Sequence, residues 1–158
     1  MDLTLSLPKK TLKIVLGLFL LLAGIGHLTW SRTEFLAQVP PWVPLNADLV
    51  VLLSGMVEIA LGLGLTFFQK RSGALVGCVA ALFFIAIFPG NISQYVNGIS
   101  AFGLDTDQAR LIRLFFQPVL VVWALWSTGG WSYLQEQRKL RSPDLQLGKI
   151  LQTQKQDS

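Results

Sequence analysis

Four long apolar runs divide this chain, and polar residues interrupt them at few places. The runs cover roughly Ile14 to Trp30, Leu49 to Phe68, Ser72 to Phe88 and Leu111 to Trp126. The third leaves open a continuation through Asn91 to Val96, and the fourth an end as late as Gly129-Gly130. Twenty helical residues rise about 30 Å, the thickness of a bilayer's hydrocarbon. The apolar residues come in blocks rather than in stripes backed by a charged face, which is the membrane pattern. A backbone crossing lipid must satisfy its own hydrogen bonds, so each run is expected to be helical. The pattern predicts an all-α fold: a transmembrane four-helix bundle.

The flanks of the runs orient the bundle. Lys9, Lys10 and Lys13 precede the first, Lys70 and Arg71 join the second to the third, and Arg138, Lys139, Arg141, Lys149 and Lys155 follow the fourth. Positive-inside counting therefore puts both termini in the cytoplasm and the longer first and third connections outside. The first run is preceded by basic residues, as in a secretory signal, but no A-x-A-like site follows it, so an uncleaved helix is expected. Within the first connection, Ser31 and Glu34 have capping-box spacing and predict a short helix ended by Pro40-Pro41. Phe35, Leu36, Val39 and Trp42 suit either an interfacial helix in the headgroup layer or an apolar loop packed on the bundle; both make a lid. Residues 1–131 form the membrane domain. Residues 132–158 form a basic, glutamine-rich cytoplasmic tail, read as an interfacial helix or as disordered.

Composition narrows the chemistry. The chain is 52% hydrophobic and only 14% charged, too apolar for a soluble domain of 158 residues. A single cysteine, Cys78, excludes an internal disulfide, a C-x-x-C pair and a cysteine-rich metal site. A single histidine, His27, excludes bis-histidine haem ligation within one chain, and no metal site is expected. The net charge of +4 sits at the ends of apolar spans and forms no basic patch interleaved with aromatics, so no nucleic-acid partner is expected.

The remaining polar residues share a depth. Glu58 sits mid-span in the second run, where a carboxylate needs a partner or a wet cavity. His27, Asn91, Gln94, Arg113 and Gln117 all fall in the outer half. Arg110, Arg113 and Gln117 share one helical stripe, and Ser54, Glu58 and Gly62 share another. Ala23 and Gly24 would admit a close helix neighbour, and Gly73, Gly77 and Ala81 form a small-residue ridge. Pro89 and Pro118 free the carbonyls of Ile85 and Leu114 in the same half. These features predict a polar pocket in the outer half with Glu58 at its floor. Structural roles stand beside that reading: Glu58 protonated or paired with Arg113 or His27, Asn91 and Gln117 as interhelical hydrogen bonds, Cys78 as core filler.

In order along the chain run GIGHL (Gly24 to Leu28), PPWVP (Pro40 to Pro44), SGMVE (Ser54 to Glu58), the Lys70-Arg71 pair with its small-residue helix, FPGN (Phe88 to Asn91) and RLFFQP (Arg113 to Pro118). Over roughly residues 12 to 128 this set resembles the DoxX-like family of small four-helix membrane proteins. The resemblance implies family-typical polar positions at His27, Glu58, Asn91, Arg113 and Gln117. It also implies relatives that serve as membrane subunits in sulfur-compound oxidation and quinone reduction, or in assembly and redox-stress complexes. FPGN departs from the alanine that relatives often carry at Gly90.

The function expected from this is a membrane subunit of a quinone-linked oxidoreductase in the plasma membrane, the inner membrane of a bacterium. Gln117, Arg113 or His27 would hydrogen-bond a quinone carbonyl, and Glu58 or His27 would exchange the accompanying proton. No covalently held cofactor is implied, so electrons would come from a partner subunit; a homo-oligomer is left open. An assembly factor that binds a partner's segment is the alternative, and a small transporter a third.

Overall fold

The structure, a computed structural model, describes residues 4–141. Six helices follow one another: α1 (Leu7–Leu28), α2 (Arg32–Leu36), α3 (Ala47–Phe67), α4 (Lys70–Val96), α5 (Asp107–Thr128) and α6 (Gly130–Leu140). There is no strand among the described residues. α1, α3, α4 and α5 are each long and apolar enough to cross a membrane, so the all-α, four-span reading holds.

Local signals set the helix ends. α1 starts at Leu7 rather than near Ile14, because Pro8 fits the first turn and the lysines that follow are good helix formers. The Asn46 side chain accepts from the amides of Asp48 and Leu49 and caps α3. Thr106 caps α5 in the same way through the Ala109 amide. Gly129, at φ 73°, ends α5 in the left-handed conformation that glycine adopts without a Cβ penalty. α4 continues through Pro89 to Val96, which realises its longer alternative.

Two antiparallel pairs make the bundle: α1 packs most extensively on α3, and α4 on α5. The first pair is a glycine seam. Glycines seven residues apart on α1, Gly17 and Gly24, face glycines seven apart on α3, Gly62 and Gly55. A Cβ on Gly24 would stand 2.7 Å from the Gly55 carbonyl, and one on Gly62 2.7 Å from the Gly17 carbonyl. In the second pair, a Cβ on Gly77 would run into the Thr128 side chain. Leu16, Leu20, Leu61, Leu65, Phe84 and Leu120 fill the space between the pairs. Outward faces carry exposed Leu82, Phe115 and Val122, as expected of helices solvated by lipid.

The two ends differ. At the basic end, the Lys13 ammonium donates to the Phe68 carbonyl at the end of α3. Lys9 lies over the Trp126 ring and Arg71 over Tyr133 of α6. The Cys78 thiol is only partly buried and lies 3.6 Å from the Gly130 carbonyl, joining α4 to α6. At the other, lid end sit α2, the segment to Pro44 and the loop from Asn97 to Thr106.

Two expectations need correction. Ser31 precedes α2 but its side chain caps nothing. Glu34 instead accepts the Phe102 amide in the α4–α5 loop, so no capping box forms: a long-range partner has taken the carboxylate. α2 ends at Leu36, ahead of Pro40-Pro41, whose turn is closed by the Val43 amide on the Pro40 carbonyl. The tail begins as α6, packed on α4 and α5, with Leu134 and Leu140 in it. Leu145, Leu147 and Leu151 lie outside the described residues.

The seam makes a direct prediction. Gly24→Ala and Gly77→Ala should each destabilise the protein by about 1–3 kcal/mol, the usual cost of overpacking. Gly26→Ala, whose Cβ would meet nothing nearer than 3.7 Å, should be tolerated. Denaturant unfolding in detergent compares the three, and equal tolerance would contradict the seam.

Candidate functional site

Between the two pairs, in the half nearer the lid, lies a cavity of about 900 Å³. That volume is in the range of small-molecule sites. The walls are mostly apolar, and the polar groups reaching them are few.

One wall belongs to α1 and α3. A Cβ on Gly55 would stand 2.7 Å from the His27 Cβ, so that glycine is what lets His27 lie directly against α3. His27 Nδ1 is 3.2 Å from the Val51 carbonyl and 2.9 Å from Ser54 Oγ, and that hydroxyl donates to the same carbonyl at 2.9 Å. A carbonyl only accepts, so this arrangement assigns a hydrogen to Nδ1. Nε2 is left as the site that gains or loses a proton, and it faces Glu58 Oε2 at 3.4 Å. Both residues are buried, and neither of those two atoms has a hydrogen-bond partner. The pair therefore confronts one exchangeable proton: a neutral imidazole with a carboxylic acid, or an imidazolium with a carboxylate.

α4 and α5 supply the opposite wall. Asn91 Nδ2 donates to Gln117 Oε1 at 2.9 Å, and Gln117 Nε2 donates to the Phe84 carbonyl at 2.7 Å. The amide reaches Phe84 rather than the expected Ile85 carbonyl, one residue earlier in the turn that Pro89 opens. Asn91 and Gln117 thus tie α4 to α5 while lining the cavity. Arg113 is different: among the described residues its one partner is the Phe102 ring, 5.0 Å from the guanidinium carbon. It lines the cavity with no anion beside it.

The stripe expected for Arg110, Arg113 and Gln117 splits. Arg110 is buried outside the cavity, donating to the Leu104 carbonyl at 2.9 Å and to Asp107 at 2.7 Å. It holds the α4–α5 loop. Gln94 also lies outside, its Oε1 accepting from Gln38 at 3.3 Å. Gly62 serves the seam. His27, Glu58, Asn91, Arg113 and Gln117, by contrast, all line the one cavity.

The lid contains Phe35, as expected, and adds Phe102 and ring contacts that sequence reasoning passed over. Phe35 of α2 lies on the His27 ring with centroids 3.4 Å apart, and Phe102 packs edge-on against Phe35 at 4.7 Å. Phe102 has φ 57°, an unfavourable conformation for a bulky residue. Its amide bond to Glu34 and its contacts with Phe35 and Arg113 hold it there. Only the flanking Gly98 and Gly103, both at positive φ, marked this loop as tightly turned. Arg32 is paired with Asp48 and anchors α2 to α3.

The chain belongs to the family described as "Domain of unknown function (DUF8561)", which matches residues 16–128. Those limits take in the whole cavity, from Phe19 to Leu120. No curated protein matches the chain, and no solved structure does.

The two walls should respond differently to substitution. Gln117→Leu removes a buried bond to Phe84 and strands Asn91, so it should cost about 1–3 kcal/mol of stability. Arg113→Leu breaks no hydrogen bond or ion pair and should leave the unfolding midpoint unchanged or raise it. Parallel unfolding of the two variants checks this, and a large loss in Arg113→Leu would reveal a structural role.

Proposed function

We propose that this protein is a quinone-binding membrane subunit of a redox complex, the role that the DoxX-like resemblance implies. The observation that supports it best is one apolar cavity containing both a histidine–carboxyl pair with an exchangeable proton and an arginine with no counter-ion. Apolar walls suit a lipophilic ring. Arg113 offers N–H donors to a ring oxygen, and a guanidinium holds the charge that develops there on reduction. His27 Nε2 and Glu58 Oε2 hold and release a proton within the same space.

A bound quinone accepts two electrons and two protons. The pair delivers both protons in turn, each given up at Nε2 or Oε2 and replaced from water that passes the lid end. Phe35 and α2 restrict that water. With one cysteine and one histidine, the chain lacks the side chains for an iron–sulfur cluster or a bis-histidine haem, so electrons come from a partner subunit. In this reading the basic end faces the cytoplasm and the cavity opens toward the outer leaflet of the plasma membrane.

Titration of a short-chain ubiquinone analogue against purified protein tests the reading. Saturable binding is expected, weakened about tenfold or more in Arg113→Leu, the worth of a hydrogen bond to a charged group. Glu58→Gln should still bind, but with a pH dependence of affinity altered from that of the parent protein. Absence of saturable binding, or unchanged behaviour in both variants, would overturn it.

A further inference from the structure

We infer that the cavity is loaded sideways from the lipid, through a mouth between α1 and α5, and that the apolar tail of its ligand stays in that mouth. The inference rests on the ligand reading above and adds a route and a tail.

The other sides of the cavity are crossed by polar contacts or closed by side chains, although Trp30 and Trp42 at the lid end also line it and are exposed. α2 lies across the lid end, fixed by Arg32 on Asp48 and by Glu34 on the Phe102 amide. The segment that follows α2 closes the flank between α3 and α4. There the Gln38 carbonyl lies 3.0 Å from where a Cβ on Gly90 would stand, and the Gln38 side chain reaches Gln94. The Leu20, Phe84 and Leu120 side chains close the floor toward the basic end.

The flank between α1 and α5 has no such cover. These two helices pack lightly. The polar contacts that join them, Trp123 to the Leu12 carbonyl and Lys9 over Trp126, lie toward the basic end. Phe19 and Leu22 project from the side of α1 away from its seam glycines. Ile112 and Phe116 lie at least a quarter turn around α5 from Gln117 and Thr128, which face α4. All four line the cavity, yet they are 49%, 62%, 64% and 47% exposed. These four exposed apolar side chains sit on the flank between α1 and α5, and among the described residues no polar contact bridges the two helices at their level.

The chemistry of this rim says what crosses it. It is wholly apolar, so it gives a hydrated solute nothing in exchange for its water, while a hydrocarbon tail passes from lipid to rim without penalty. Arg113 is one residue from Ile112 and about one turn from Phe116. A polar ring held at Arg113 therefore leaves its tail between Phe116 and Leu22, pointing into the bilayer. The occupant is an amphiphile with one polar ring and one isoprenoid or alkyl chain.

Reconstitution in phosphatidylcholine vesicles tests this with two probes, a tail-less dimethoxybenzoquinone and a quinone carrying a long isoprenoid chain. Tryptophans introduced together at the lipid-facing positions, Leu22→Trp and Ile112→Trp, narrow the mouth without adding bulk to the helix seams. The tailed quinone should bind the parent protein about tenfold or more tighter than the tail-less one, after correction for partitioning. The double variant should lose most of that advantage and associate more slowly with the tailed quinone, while its binding of the tail-less one is unchanged. If both quinones bind alike, or the tryptophans affect neither, the mouth is refuted and the quinone reading stands. If neither quinone binds the parent protein, both are refuted.

Discussion

Close contact between two glycine-lined helices governs the rest of this molecule. With Gly17 and Gly24 against Gly62 and Gly55, α1 and α3 approach to backbone distance, closer than any side chain would permit. That approach carries His27 onto α3 and aims its Nε2 at Glu58. It also commits α1 and α3 to each other, so they meet the α4–α5 pair only lightly. Toward the basic end, leucines and Phe84 fill the space between the pairs. Toward the lid, side chains do not fill it, and a cavity results. The site is thus a consequence of how the helices pair.

Within that frame, several buried polar residues find partners that the fold itself supplies. Arg110 has a carbonyl and a carboxylate, Gln117 has Asn91 and the Phe84 carbonyl, and Lys13 has the end of α3. Their bonds explain their presence: each closes a loop or joins two helices. The facing atoms of buried His27 and Glu58, and the half-buried Arg113, have no hydrogen bond of this kind among the described residues. A guanidinium without an anion and a carboxyl without a hydrogen bond are costly at membrane depth. These are the groups that the proposed ligand would complete.

Much of this was legible in the sequence because membranes impose simple rules. Length and apolarity gave the four helices. Depth gave the shared level of His27, Glu58, Asn91, Arg113 and Gln117, and the glycines near His27 marked a close neighbour. Spacing alone could not separate Arg110 from Arg113, because the difference lies in which of them meets the Leu104 carbonyl. Nor could it show that Glu34 would leave Ser31 for the Phe102 amide, since a local box and a distant loop compete for one carboxylate. Phe35 was legible as part of the lid, but its contact with Phe102 was not: the two are sixty-seven residues apart and meet only in the folded chain.

The central claim is that His27 and Glu58 face each other inside one chamber and confront a single exchangeable proton. Infrared spectroscopy of the protein in lipid bilayers, with the Glu58 signal isolated by subtraction of the Glu58→Gln spectrum, reads that carboxyl group directly. The account predicts a Glu58 band that shifts when His27 is replaced by Gln. A band identical with and without the imidazole would contradict it.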